Sequence, residues 1–173
     1  MSISYTHEKI SRFVSALLRI LAMELKFDLE ESGSTTLTLD PRETSAEPDT
    51  AFYIHHAQQM IGRDQIDLQT DPPPDLVLEV DITNPTHSKE KVYARLGAPE
   101  LWRCDGASFS IRLLREERYQ ASLYSAAFPF LKATVLTEFL ATSETKGQTQ
   151  TLNDFADWVR AHAKGQPLSD EQS

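Results

Sequence analysis

The sequence predicts an α+β protein in which helices flank a central sheet. Three observations predict it. An apolar stripe of helical spacing opens the chain, residues 75–82 are apolar in the manner of a strand buried on both faces, and three strand-like runs follow between residues 100 and 125. At 173 residues, with 40% hydrophobic and 25% charged, the chain is expected to form one domain over residues 1–164.

The elements follow in order. Over residues 6–26, Ile10, Phe13, Val14, Leu17, Leu18, Leu21 and Leu25 recur at three-and-four spacing, which predicts a first helix. Residues 30–34 include Gly33 and read as a turn, residues 35–40 alternate as a short strand, and residues 41–48 read as a polar loop. Residues 50–55 are rich in aromatic and β-branched side chains and predict a strand. A polar connection over residues 57–71 leads to Pro72, Pro73 and Pro74, which stiffen the entry to the central strand. A short helix is expected over residues 86–97, with Thr86 or Ser88 as its cap and Gly97 at its end. Strands are expected over residues 100–104, 108–114 and 119–125, the first two joined at Asp105-Gly106. Residues 130–140 read as partly helical, and residues 152–163 as a final amphipathic helix built on Phe155, Trp158 and Val159. The polar tail, residues 165–173, is expected to be disordered.

Composition excludes several classes. No apolar run approaches the roughly 20 residues that span a bilayer, and no secretory leader is visible, so a cytoplasmic protein without membrane association is expected. The single cysteine, Cys104, excludes an internal disulfide and a multi-cysteine zinc site. A net charge of −9 argues against a general nucleic-acid-coating protein, whose affinity comes from Lys and Arg on phosphates. It leaves room for a nuclease, because metal sites need carboxylates.

The informative feature is where the carboxylates sit. Glu79 lies in the middle of the most apolar strand, where an ionised carboxylate is costly unless paired or metal-bound. Strand alternation turns Asp81 to the same side, about 7 Å along. Asp49 opens another strand, after Pro48. If the two strands are neighbours, Asp49 and Glu79 share one divalent cation, and Lys89, at the start of the following helix, reaches back to it. The alternative for each carboxylate is an edge position or a salt bridge.

The segment PDLVLEVDITNPTHSKEKVYARLGAPELWRCD, residues 74–105, with EPDTAFYI, residues 47–54, and IDLQTDPPPDLVLEV, residues 66–80, resembles the Uma-type family of restriction endonucleases. The resemblance covers residues 5–140 and implies the PD-(D/E)XK nuclease fold, a restriction-endonuclease-like mixed central sheet flanked by helices. It implies Asp49 and Glu79 as metal-binding acids and Lys89 as the catalytic lysine, with Lys91 as the nearby alternative. The fold pattern expects lysine two residues after the second acid; here that residue is Asp81, an auxiliary ligand on this reading. Asp75 matches a further family position, but strand rise sets it roughly 13 Å from Glu79, so a structural or supporting role is expected. The resemblance also implies Mg²⁺ or Mn²⁺ as cofactor, DNA as substrate and a homodimer.

Other residues carry less. His55 and His56 are adjacent in a strand and face opposite sides, so they do not chelate one ion. His7 and His87 are isolated and expected at the surface. Cys104 reads as a small buried residue, and Trp102 and Tyr93 as core beside the site. Arg112, Arg115 and Arg118 are candidate phosphate contacts or a solvated strand face. Three functions remain: a metal-dependent endodeoxyribonuclease; a non-catalytic or partner-dependent protein of the nuclease fold, in DNA repair or mobile-element biology; and a structural homo-oligomer whose carboxylates pair with arginines across an interface.

Overall fold

The computed structural model describes residues 4–40, 44–83 and 88–163. The expected cap Thr86, His87 and the tail from residue 165 lie outside the described residues, as does the side chain of Ser88.

The first helix, α1 (Tyr5–Leu25), forms on the predicted stripe: Ile10, Phe13, Val14, Leu17, Leu18 and Leu21 are all buried. Ser4 caps it by accepting from the His7 N–H, and the chain leaves at Lys26 in a left-handed conformation. Strand β1 (Glu30–Glu31) then pairs antiparallel with Phe52 and Tyr53, where the sequence reads as a turn. The turn is real but begins later, at Gly33, whose φ is +58°. Glu31 is tolerated at the sheet because Ser15 and Thr50 donate to its carboxylate and Arg19 pairs with it.

Strand β2 (Leu37–Asp40) and strand β3 (Thr44–Ala46) make a separate antiparallel hairpin. The sequence predicts β2 but reads β3 as loop, because its three residues are too few to show alternation. Leu37 anchors the hairpin in a core with Val77, Tyr93 and Leu101.

The main sheet continues with β4 (Thr50–Tyr53), β5 (Leu76–Val80), β6 (Glu100–Cys104), β7 (Phe109–Arg115) and β8 (Arg118–Ser122), in the order β1-β4-β5-β6-β7-β8. It is mixed: β5 and β6 run parallel, joined by α3 (Ser88–Leu96), and the other pairs are antiparallel. The predicted adjacency holds, since β4 pairs directly with β5. Every β5 residue is buried. Leu76, Leu78 and Val80 join the core that contains α1, while Val77 joins the core that contains Tyr93 and Leu96 of α3. By alternation Glu79 shares the α3 face with Val77.

The connection expected to be purely polar contains one helical turn, α2 (Ala57–Met60), whose two ends are buried beside Tyr53. The last helices are longer than predicted, α4 (Ala133–Lys146) and α5 (Gln148–His162), and meet at Gly147 with φ +83°. Polar residues 141–151 hide the helical period; the hydroxyls of Ser143 and Thr151 turn back onto the backbone carbonyls of Leu140 and Gly147. No described helix is long and apolar enough to cross a membrane.

Candidate active site

The end of β5 and the start of β4 bring the predicted residues together. Thr50 stands opposite Leu78, so the next antiparallel step sets Asp49 opposite Glu79. The Asp49 N–H donates to Leu78 O at 3.2 Å. Its carboxylate is fixed on both oxygens: the Val80 N–H donates to Oδ2 at 2.6 Å, and His7 Nε2 lies 3.0 Å from Oδ1. His7 is therefore not the isolated surface residue the sequence suggests; its side chain is 19% exposed and joins the N-terminus of α1 to this site.

Glu79 is 4% exposed. Lys89 donates to both of its oxygens, at 3.2 and 3.0 Å, and the Tyr93 hydroxyl donates to Oε1. Lys89 and Tyr93 are one helical turn apart on α3 and so share the face turned to Glu79. Burial pushes the Glu79 carboxyl up to about 7, and the charge of Asp49 pushes the same way; Tyr93 and Lys89 pull it back. Burial, with the charge of Glu79, likewise pushes Tyr93 above its ordinary range, so it stays a donor.

An open groove of about 640 Å³ lies at this end of the sheet, lined by Ser34 and Thr36 before β2, Ser45 of β3, Glu47, Asp49 and Lys89. Lys89, 40% exposed, also donates to Glu47 O at 3.1 Å. Glu79 lies beneath Lys89 and does not line the groove. Among the described residues, no three His, Cys, Asp or Glu side chains are already gathered around one ion-sized point.

The remaining candidates sit elsewhere. Asp81 pairs with Arg103 at 2.6 Å, and Arg103 reaches Glu90 at 2.6 Å; Arg103 is the β6 residue in register with Glu79. Asp75, 3% exposed, is at the opposite end of β5, where it accepts from the N–H groups of Ile54 and His56 and pairs with His56 Nδ1 at 2.6 Å. It shapes the loop into α2. Lys91 is exposed and lies by Glu117 and Tyr119, on the far side of α3 from Glu79. Cys104 is free and buried, and burial pushes its thiol up to about 11. Trp102 is core. Arg112 lies 3.5 Å from Glu90, whereas Arg115 and Arg118 are exposed at the β7–β8 turn.

The sequence places Tyr93 in the core beside the site, as found, but the bond of its hydroxyl to Glu79 goes unread, and so does the position of His7 beside Asp49. Tyr93 had a usable signal, its helical spacing from Lys89. His7 had none, because nothing along the chain marks the start of α1 as adjacent to Asp49.

A crystal structure described as "a putative nuclease belonging to DUF820 from Anabaena variabilis ATCC 29413" is similar to this chain at 14% identity, covering 88% of this chain and 84% of that one, with a TM-score of 0.47. No curated protein matches the chain. The family model described as "Uma2: Putative restriction endonuclease" matches residues 1–144, most of the sequence, and the chain belongs to the Uma2 family.

Proposed function

We propose that the chain is a metal-dependent endonuclease that hydrolyses phosphodiester bonds of DNA, using Asp49, Glu79 and Lys89. The observation that carries this reading is the cross-strand apposition of Asp49 and Glu79 with Lys89 bonded to the second acid. Membership of the Uma2 family supports it. The donor set fits a hard divalent ion, since two adjacent carboxylates and water suit Mg²⁺ or Mn²⁺. Such an ion, when bound by Asp49 and Glu79, supplies Lewis-acid polarisation of the phosphate and a more acidic attacking water.

The chain's own residues do the rest. The Val80 N–H holds Asp49 Oδ2 and His7 faces Oδ1, which sets the orientation of the carboxylate. Tyr93 fixes the Glu79 rotamer from the buried side. Lys89 stands between Glu79 and the groove, where its ammonium orients a water and offsets charge growing on the phosphate. The hydroxyls of Ser34 and Ser45 offer neutral donors to a nucleic-acid backbone in the groove, whereas that of Thr36 is spent on Glu47. Asp81 neutralises Arg103 and supports the site from the side.

Plasmid cleavage with Mg²⁺ or Mn²⁺ tests the reading, with an RNA substrate as the control for nucleic-acid type. Glu79→Gln and Asp49→Asn are expected to lose at least about a hundredfold in rate together with Mn²⁺ binding, seen by calorimetry. Lys89→Ala is expected to lose cleavage by a similar factor but keep Mn²⁺ binding, and Lys91→Ala to stay within about threefold of the parent. A second reading, a nuclease-fold protein that acts only with a partner, is favoured by the closure of Glu79 under Lys89 and Tyr93. Wild type that binds Mn²⁺ yet cuts no DNA would select it. The third, a structural oligomer, is disfavoured because Glu79 and Asp81 find Lys89 and Arg103 within the chain. The homodimer is also part of the proposal; light scattering is expected to give twice 19.5 kDa, and a monomer mass at high concentration would remove it.

A further inference from the structure

His7 is held for a purpose that its hydrogen bonds leave incomplete. The Ser4 cap sets it in the first turn of α1, and its ring meets Asp49 just before β4. Nε2 faces Asp49 Oδ1 at 3.0 Å. Nδ1 is buried and has no hydrogen-bond partner among the described residues, although Glu8 Oε1 stands 3.7 Å away. If Nε2 donates to Asp49, the lone pair of Nδ1 is orphaned in the interior, which is unfavourable.

A cation resolves this arrangement. With the proton on Nδ1, that nitrogen donates toward Glu8 after a small side-chain shift, and the Nε2 lone pair is released for a metal. A metal-binding histidine usually gives its other N–H to a carboxylate in this way. The spacing agrees: neighbouring ligands of an octahedral ion with bonds of about 2.1 Å stand about 3 Å apart. Asp49 Oδ2 is taken by the Val80 N–H, so Oδ1, the oxygen that faces His7, is the one that can share an ion with Nε2 once the ring proton sits on Nδ1.

We propose that His7 is a nitrogen ligand of the same divalent cation as Asp49 and Glu79, and that the site therefore takes Mn²⁺ in preference to Mg²⁺. This rests on the metal-site reading above and specifies its ion. His7, Asp49 and Glu79 do not converge on one point in this structure, so Glu79 completes the set by a side-chain movement away from Lys89 and Tyr93. An imidazole donor favours a transition ion, whereas Mg²⁺ is satisfied by carboxylates and water alone.

The test is calorimetry of the full chain with Mn²⁺ and with Mg²⁺, together with pulsed electron paramagnetic resonance of the Mn²⁺ complex. Wild type is expected to bind Mn²⁺ at least about tenfold more tightly than Mg²⁺ and to show a directly coupled ¹⁴N. His7→Gln retains a donor for Asp49 Oδ1 but not the imidazole. It is expected to lose the ¹⁴N signal and about tenfold or more of Mn²⁺ affinity, with Mg²⁺ affinity changed less than about threefold. If His7→Gln binds Mn²⁺ as wild type does and neither complex shows coupled nitrogen, while Asp49→Asn abolishes binding, the ligand role of His7 is overturned and the two-carboxylate site stands. If Asp49→Asn also binds Mn²⁺ normally, or wild type binds none, the metal site and this inference fall together.

Discussion

Glu79 is 4% exposed, and burial pushes its carboxyl from an ordinary 4.5 up to about 7. The folded chain thus holds this proton more tightly than the unfolded chain does. Stability from this group is intact below pH 4.5, is lost as pH rises through about 7, and is flat beyond, a change of roughly 3 kcal/mol. Metal-free protein is therefore expected to melt at progressively lower temperature between about pH 4.5 and 8, and Glu79→Gln to flatten much of that slope. Burial pushes Glu100 up as well, so a slope of the same sign remains in the variant. Added Mn²⁺ at about pH 8 is expected to raise the melting temperature of wild type but not of Glu79→Gln. An unchanged slope in the variant would show that Glu79 is ionised at no cost. At this scale the sequence was legible where charge conflicts with hydrophobicity: a glutamate inside LVLEV demands a partner wherever the strand goes. Lys89 was legible through the family resemblance. The position of His7 was not, because it depends on which surface α1 turns to the sheet, and the bond of Tyr93 to Glu79 was legible only through its helical spacing from Lys89.

Between β7 and β8, Arg115 pairs with Arg118, which leaves Glu116 and Glu117 as a two-residue turn. Their φ angles are +46° and +67°, the left-handed region that Asn and Gly occupy far more readily. The paired acids also repel each other. Replacing them together, Glu116→Asn with Glu117→Gly, is expected to stabilise the chain by about 1 kcal/mol, read as a higher urea midpoint with unchanged slope. A lower midpoint would mean that the acids are held by contacts outweighing their strain. This turn carries no Asn-Gly signal, unlike Asp105-Gly106, where the Asp105 side chain accepts from the N–H groups of Ala107 and Ser108. Long or strongly patterned elements, such as α1, β5 and β6, could be read from residues alone. The pieces that could not, β1, β3 and α2, span two to four residues each and exist because a neighbour pairs with or buries them.

Across the whole molecule, α5 packs on α1 and α4. Arg160 grips Glu24 with two hydrogen bonds, at 2.8 and 2.6 Å, and Lys9 pairs with Glu144 at 2.7 Å. Phe155 is fully buried and meets Phe139 edge-on and Trp158 in a stack. Phe155→Ala is expected to cost about 3 to 5 kcal/mol, whereas Arg160→Ala, at an exposed and solvent-screened pair, is expected to shift the midpoint far less. Urea denaturation separates the two, and a small loss for Phe155→Ala would show that α5 is a loosely attached accessory. The family model ends at residue 144, yet this helix completes the same core as β5 and α1.

The packing of α1 on α5 has a consequence for biosynthesis. Of these two helices, the one made earlier needs the one made later. Until α5 emerges, part of the apolar stripe of α1 has no permanent cover, and the nascent chain offers it to chaperones and proteases. His7 and Asp49 can meet early, but the sheet behind them closes only when β6 has returned beside β5. A chain halted after α4 therefore carries an α1 face without its α5 cover and is expected to be cleared by proteases sooner than one that includes α5.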